Sequence, residues 1–204
     1  MATGMLGLAY LAHGDLAQGV PRVESASQQF SQIGYWPLVS WFQAWLSEAL
    51  WLHHEYEKAR DVATQALDIG SKAKNSYGVA YAQRVLGQIA HTSGALTEAH
   101  TRLGEALDTF AAIQSRFETG RTHLALAELA HAQGNREAAT AHANNAYALF
   151  MALKTPRYVE RTQQFASQCG LVLSNADALP PNIAVPSLYA EHQARSRNRQ
   201  TVHV

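Results

Sequence analysis

Small and apolar residues recur along this chain at a step of 40 positions. Leu6, Leu46, Leu86 and Leu126 form one column, and the residues just after them, Gly7, Ser47, Gly87 and Ala127, are all small. Further on come Gly19, Ala59, Ala99 and Ala139, then Ala26, Ala66, Ala106 and Ala146. Between these groups lies a short polar break centred on Gly14, His54, Gly94 and Gly134, in strings such as HGDL and QGNR that suit helix ends. The chain is rich in alanine, so one match carries little weight. Three small-residue columns together with an all-leucine column exceed what composition supplies, and a fixed period of this length marks a repeat architecture.

Small residues in register allow two antiparallel helices to pack backbone to backbone, so each repeat predicts a helical hairpin. The pattern predicts helices over 2–12, 15–32, 36–53, 55–72, 76–92, 95–113, 117–133 and 135–152, with a ninth over 156–169 that Pro156 starts. Phe30, Phe110 and Phe150, with Ile33, Ile113 and Leu153 three places on, put an apolar pair at the end of three second helices, where they are expected to seal one hairpin against the next. Repeat two carries Gly70 and Ala73 there, so its packing must differ.

The pattern resembles the tetratricopeptide (TPR) family, whose repeat couples Leu-Gly in the first helix to alanines in the second, as in Leu6-Gly7 with Tyr10 and Leu86-Gly87 with Ala99 and Ala106. The likeness spans about residues 1–155. The family's early Trp is replaced by Thr3, Gln43, Gln83 and His123, its closing Pro by Ser31, Ser71, Ala111 and Met151, and its usual period of ~34 residues is exceeded. The segment LALAELAHAQGNREAATAHANNAYALF is similar to the C-terminal arrays of bacterial maltose-regulator-like and cyclase-linked ATPase signalling proteins. The resemblance implies an all-α fold: a right-handed α-α superhelix of about four hairpins (1–34, 35–74, 75–114, 115–154) with a C-terminal capping helix over 156–169. The solenoid is expected over 1–170 and a flexible tail over 171–204, where three prolines and three closely spaced arginines replace the period. Docking of IAVPSLY in the solenoid's own groove, or capture of the terminal carboxylate by a partner, are alternatives for that tail.

Composition narrows the setting. The 204 residues are 47% hydrophobic, enough for a core, and 16 basic residues balance 16 acidic ones, so no global field draws the chain to nucleic acid or an anionic membrane. Cys169 has no partner for an internal disulfide, which fits a reducing compartment, and cytoplasm is expected. No signal peptide or membrane span is read, because Gly14-Asp15 interrupts the apolar start.

Ten histidines invite a metal reading, but His53-His54-Glu55 lacks a second histidine four places on, and His91 and His131 in neighbouring repeats lack a third ligand. No phosphate loop, nucleophile elbow or Cys-His constellation occurs, so neither enzyme activity, cofactor nor metal is expected. What stands out is four tryptophans, Trp36, Trp41, Trp45 and Trp51, in the first helix of repeat two. Trp45 is expected to pack between hairpins; Trp41 and Trp51 are divided between core and surface.

First helices line the concave face in TPR-like arrays, and the resemblance places Trp41, Glu48, Trp51, Tyr81, Arg84, Gln88, His91, Arg121, Glu128 and His131 along it as a protein-binding groove. Trp and Arg are the anchors from which interface hot spots are made. The leading expectation is an interaction or sensor module, part of a bacterial signalling protein, that binds a peptide or protein. The apolar GMLGLAYLA has no polar cap before it, so that edge is expected to be covered by an upstream ATPase-type or cyclase-type part of a longer protein, or by a second copy as a homodimer. A small-ligand receptor or enzyme using the Trp- and His-lined groove is the third reading.

Overall fold

The computed structural model describes residues 1–174; the expected tail from 175 on lies outside the described residues. Among the described residues the chain is all helix: α1 (Ala2–Ala12), α2 (Leu16–Gln32), α3 (Trp36–Leu52), α4 (Tyr56–Lys72), α5 (Ser76–Thr92), α6 (Leu96–Ala112), α7 (Arg116–Ala132), α8 (Arg136–Ala152) and α9 (Pro156–Gln168). From α2 on, helices begin every 20 residues, so the 40-residue sequence step is two equal helices and two three-residue turns. Four hairpins stack into a right-handed superhelix, with odd-numbered helices inside and even-numbered helices outside.

The turns share one geometry. Each places a residue in the left-handed region, Gly14, Gly34, Gly94, Gly134 and Gly170 in five and His54, Lys74, Gln114 and Lys154 in four. The amide that follows bonds back across the last turn, as in Tyr35 to the Phe30 carbonyl (2.8 Å) and Asn75 to the Gly70 carbonyl (2.8 Å), which satisfies carbonyls the helix end would leave free. Asp15, Asn75 and Asn135, which the sequence reading places at or next to helix starts, are N-caps whose side chains accept from the amides of Gln18, Gly78 and Ala138 at 3.0–3.3 Å.

The small columns do what close packing requires. Ala59, Ala99 and Ala139 and the later column Ala66, Ala106 and Ala146 are fully buried. A Cβ added at Gly87 would stand 2.8 Å from Leu103 Cγ, so α5 and α6 touch where only glycine fits. The leucine column divides: Leu46, Leu86 and Leu126 are buried, whereas Leu6 is 50% exposed. Leu46 is enclosed by α2 on one side and α4 on the other, and α1 has an outer helix on one side only.

Phe110 and Phe150 are fully buried, and Phe30 stacks on Phe42 of the next hairpin at 5.8 Å. Of their expected companions, Leu153 is half-buried and the other two do not turn inward. Ile33 and Ile113 are C-cap residues, 75% and 40% exposed, because the helix ends before the chain would bring them round to the core face. At the far end α9 buries Thr162 and Ala166 and adds Tyr158 and Val159 to the Phe150 cluster.

Candidate binding groove on the concave face

The five inner helices converge on one cavity of about 340 Å³. α1 contributes Leu8 and Leu11, α3 contributes Trp45, Glu48 and Trp51, and α5 contributes Arg84 and Gln88. α7 adds Arg121 and Glu128, and α9 adds Arg157 and Arg161. One side is therefore apolar and aromatic and the other is rich in guanidinium groups.

The floor is a charge network carried by successive inner helices. Glu48 on α3, Arg84 on α5, and Glu118 and Arg121 on α7 are all largely buried, two cations against two carboxylates. Arg84 Nη2 stands 3.0 Å from Glu118 Oε2 and 3.7 Å from Glu48 Oε1. Arg121 bonds to Glu48 and meets Glu118 at 3.3 Å. Tyr81 donates its hydroxyl to Glu48, Tyr77 donates to Glu118 at 3.2 Å, and the Arg84 guanidinium lies over the Tyr81 ring at 4.4 Å. A buried charge persists only when paired and hydrogen-bonded, and each carboxylate here has a cation and a phenol.

The electrostatics follow from that arrangement. Burial on its own would raise the Glu48 carboxyl, but Arg121, Arg84 and the Tyr81 hydroxyl reverse it and hold the group at about 2. Burial, then the Glu48 charge, pushes the Tyr81 phenol well up, so it stays a donor. Burial likewise raises Tyr77, with Glu118 adding to it.

Three buried polar atoms at this cavity have no hydrogen-bond partner among the described residues: Arg84 Nε, Gln88 Oε1 and Trp45 Nε1. Arg84 Nη2 is also unbonded by hydrogen-bond geometry although its charge faces Glu118. Such atoms are costly in a folded protein and call for an explanation in a ligand, water or strain.

Of the ten residues the sequence places in the groove, Glu48, Trp51, Arg84, Gln88, Arg121 and Glu128 line the cavity. Tyr81 is fully buried beneath it as part of the network. Trp41 packs edge-on against Phe42 at 5.1 Å, and His131 is exposed beside Phe165, so neither lines the cavity. His91 does not line it either. Trp45 both stacks on Tyr81 at 5.5 Å and lines the wall.

Sequence reasoning misses Glu118, Tyr77, Arg157 and Arg161. Arg161 stands 40 residues after Arg121 and could be found by extending that column; Glu118 has no charged counterpart at Leu38, Gly78 or Tyr158 and leaves no such trace. Among the described residues no group of three or more His, Cys, Asp or Glu is placed to hold a metal ion, and no helix is long and apolar enough to cross a membrane.

No protein-family model matches the sequence, and no curated protein matches it. Solved structures are similar in fold. BtubC (BKLC) from P. vanneervenii superposes with a TM-score of 0.51 at 14% identity, over 83% of this chain and 87% of that one. A kinesin light chain-type protein of nearly identical TPR-like repeats from Podosopora anserina gives 0.48 at 15%, over 83% and 93%. The fold is a TPR-like solenoid.

Proposed function

We propose that this chain is an interaction module that holds a segment of a partner protein in the concave groove, within a signalling or regulatory protein. The observation that carries the reading is a cavity walled by all five inner helices with one apolar and aromatic side and one cationic side. A bound peptide segment supplies apolar side chains for Trp51 and acidic ones for Arg157, which has no ion pair among the described residues. The signalling setting rests on the likeness of residues 124–150 to bacterial regulator arrays.

The test is a photo-crosslinking amino acid placed at Leu52 inside the groove and, separately, at Asp108 on an outer helix. Crosslinks from Leu52 are expected to map by mass spectrometry to one partner segment, to be competed by a synthetic copy of it, and to fade in Trp51→Ala/Arg161→Ala. Equal crosslinking from Asp108, or no effect of the double substitution, would overturn the reading.

A second reading is self-assembly through α1, favoured by Met1, Met5 and Leu6, which are 64%, 48% and 50% exposed on that helix and the residue before it. Light scattering that gives a monomer mass across the accessible concentration range removes it.

A further inference from the structure

The repeats supply their own control for what belongs on the outer face. Gln83 on α5 accepts from Arg102 on α6 at 2.9 Å and donates to Glu105 at 2.7 Å. One repeat later His123 on α7 meets His142 on α8 with 3.0 Å between their Nδ1 atoms. Gln43 on α3 occupies the same column one repeat earlier, and the positions of Arg102 and Glu105 are taken there by Val62 and Gln65. Its Oε1 is buried with no hydrogen-bond partner among the described residues. In this hairpin the polar half of the pair is kept and its partner is gone.

The result is a trough between α2 and α4, floored by α3. Two cavities of about 510 and 390 Å³ share Glu24, Leu46 and Val62. They run from Leu16 to Ser31, about 22 Å at the rise of an α-helix. The gap one repeat on, between α4 and α6, holds about 120 Å³ and is lined by Arg60, Arg102 and Glu98, the middle one reaching across to Gln83. The α2–α4 trough has an apolar floor of Leu46 and Leu50 on α3 and an apolar wall residue, Val62, on α4, and a second polar atom, Ser27 Oγ, is without a partner on a residue only 8% exposed. Glu24 on one lip and Asp61 on the other have no ion pair among the described residues, while Lys58 is held by Glu55 at 2.5 Å.

We propose that this trough is a second docking surface, independent of the concave groove, and that its occupant is a cationic amphipathic helix of a partner protein. The apolar stripe of such a helix lies on Leu46 and Val62, and Arg or Lys side chains flanking it pair with the exposed carboxylates of Glu24 and Asp61. A helix fits better than a strand because the trough walls are helices whose backbone groups are already bonded, which leaves no edge for a strand to pair with. A cation is selected because both unpaired lip charges, Glu24 and Asp61, are negative.

The test uses the full chain and fluorescence anisotropy with two labelled synthetic peptides of ~15 residues, matched to the trough length. One has a leucine stripe flanked by Lys and Arg, and its twin carries Glu at those flanks. The basic peptide is expected to bind saturably and its twin about tenfold more weakly or worse. Val62→Arg, which installs the residue found at position 102, is expected to weaken binding about tenfold while the melting temperature by circular dichroism holds or rises. Glu24→Gln/Asp61→Asn alters only exposed carboxylates and is expected to weaken binding several-fold; it decides alone if Val62→Arg fails to fold. Equal binding of the two peptides, or wild-type affinity in the variants, overturns the proposal. Self-association that competes with the peptide assigns the trough to a second copy and overturns it too.

Discussion

Glu48 is a carboxylate buried among cations and His123 an imidazole buried beside another imidazole; the same loss of water acts on both, and the neighbours decide the outcome. For Glu48 the cations win and the folded group sits at about 2, below its ordinary value near 4.5. The stability it contributes is present above that ordinary value and is lost as pH falls through 2. For His123 burial, aided by the His142 charge, depresses the group from 6.5 to about 4. His142 is lowered as well, by burial and then by His100. A histidine held neutral in the fold contributes stability above its unfolded value that drains away between pH 6.5 and 4, for His123 on the order of 3 kcal/mol. Urea denaturation is therefore expected to show two acid legs, one between pH 6.5 and 4 and another from about pH 4.5 down. The variant His123→Gln/His142→Gln is expected to lose the upper leg and keep the lower, and an upper leg that persists in it would remove the imidazole pair as the cause.

A 17-residue helix followed by a three-residue turn is the unit of this fold, and its glycines separate two roles. Gly87 on α5 faces the Leu103 side chain so closely that an added methyl must displace it, whereas nothing lies within 4 Å of the Cβ position at Gly104 on α6. Gly104→Ala is expected to stabilise by up to ~1 kcal/mol through helix propensity alone. Gly87→Ala is expected to cost about 1–3 kcal/mol through overpacking. Thermal melts that move both variants the same way would contradict this assignment. Gly87 was legible in the sequence because it falls in a small-residue column with Gly7, Ser47 and Ala127. The 20-residue step was legible only approximately, in helix starts expected at 15, 36, 55, 76, 95, 117, 135 and 156, because the alternate left-handed turn positions, Gly34, Lys74, Gln114 and Lys154, do not repeat one residue type. Backbone hydrogen bonds across the turn hold those residues in place, and they leave no common side-chain signature.

In a solenoid most contacts run between neighbouring hairpins, so stability and function are distributed along the array, although the Arg121–Glu48 bond here passes over one hairpin. The resemblance to TPR repeats identified the inner face, and Glu48, Gln88 and Glu128, 40 residues apart, all reach the cavity. It did not identify which columns superhelical curvature brings together, which is why Trp41 and His131 fall outside and Arg157 and Arg161 of α9 fall inside. The same distribution sets where the molecule opens first. The charge network of Glu48, Arg84, Glu118 and Arg121 ties α3, α5 and α7 together. The first hairpin has no part in it, its α1 lacks a side-chain N-cap and exposes Met5 and Leu6, and the trough separates α2 from α4. Its links to the second hairpin include the Phe30–Phe42 stack and the close fit of Gly4 against Phe42. Native-state hydrogen exchange is therefore expected to show amides of α1 and α2 opening at least ~2 kcal/mol more easily than those of α5 and α6. Phe30→Ala is expected to widen that difference by loosening the first hairpin while the exchange of α5 and α6 stays as it was. If α1 and α2 exchange only with global unfolding, then the Phe30 and Gly4 contacts couple the first hairpin as firmly as the charge network couples the others, and the array behaves as one cooperative unit.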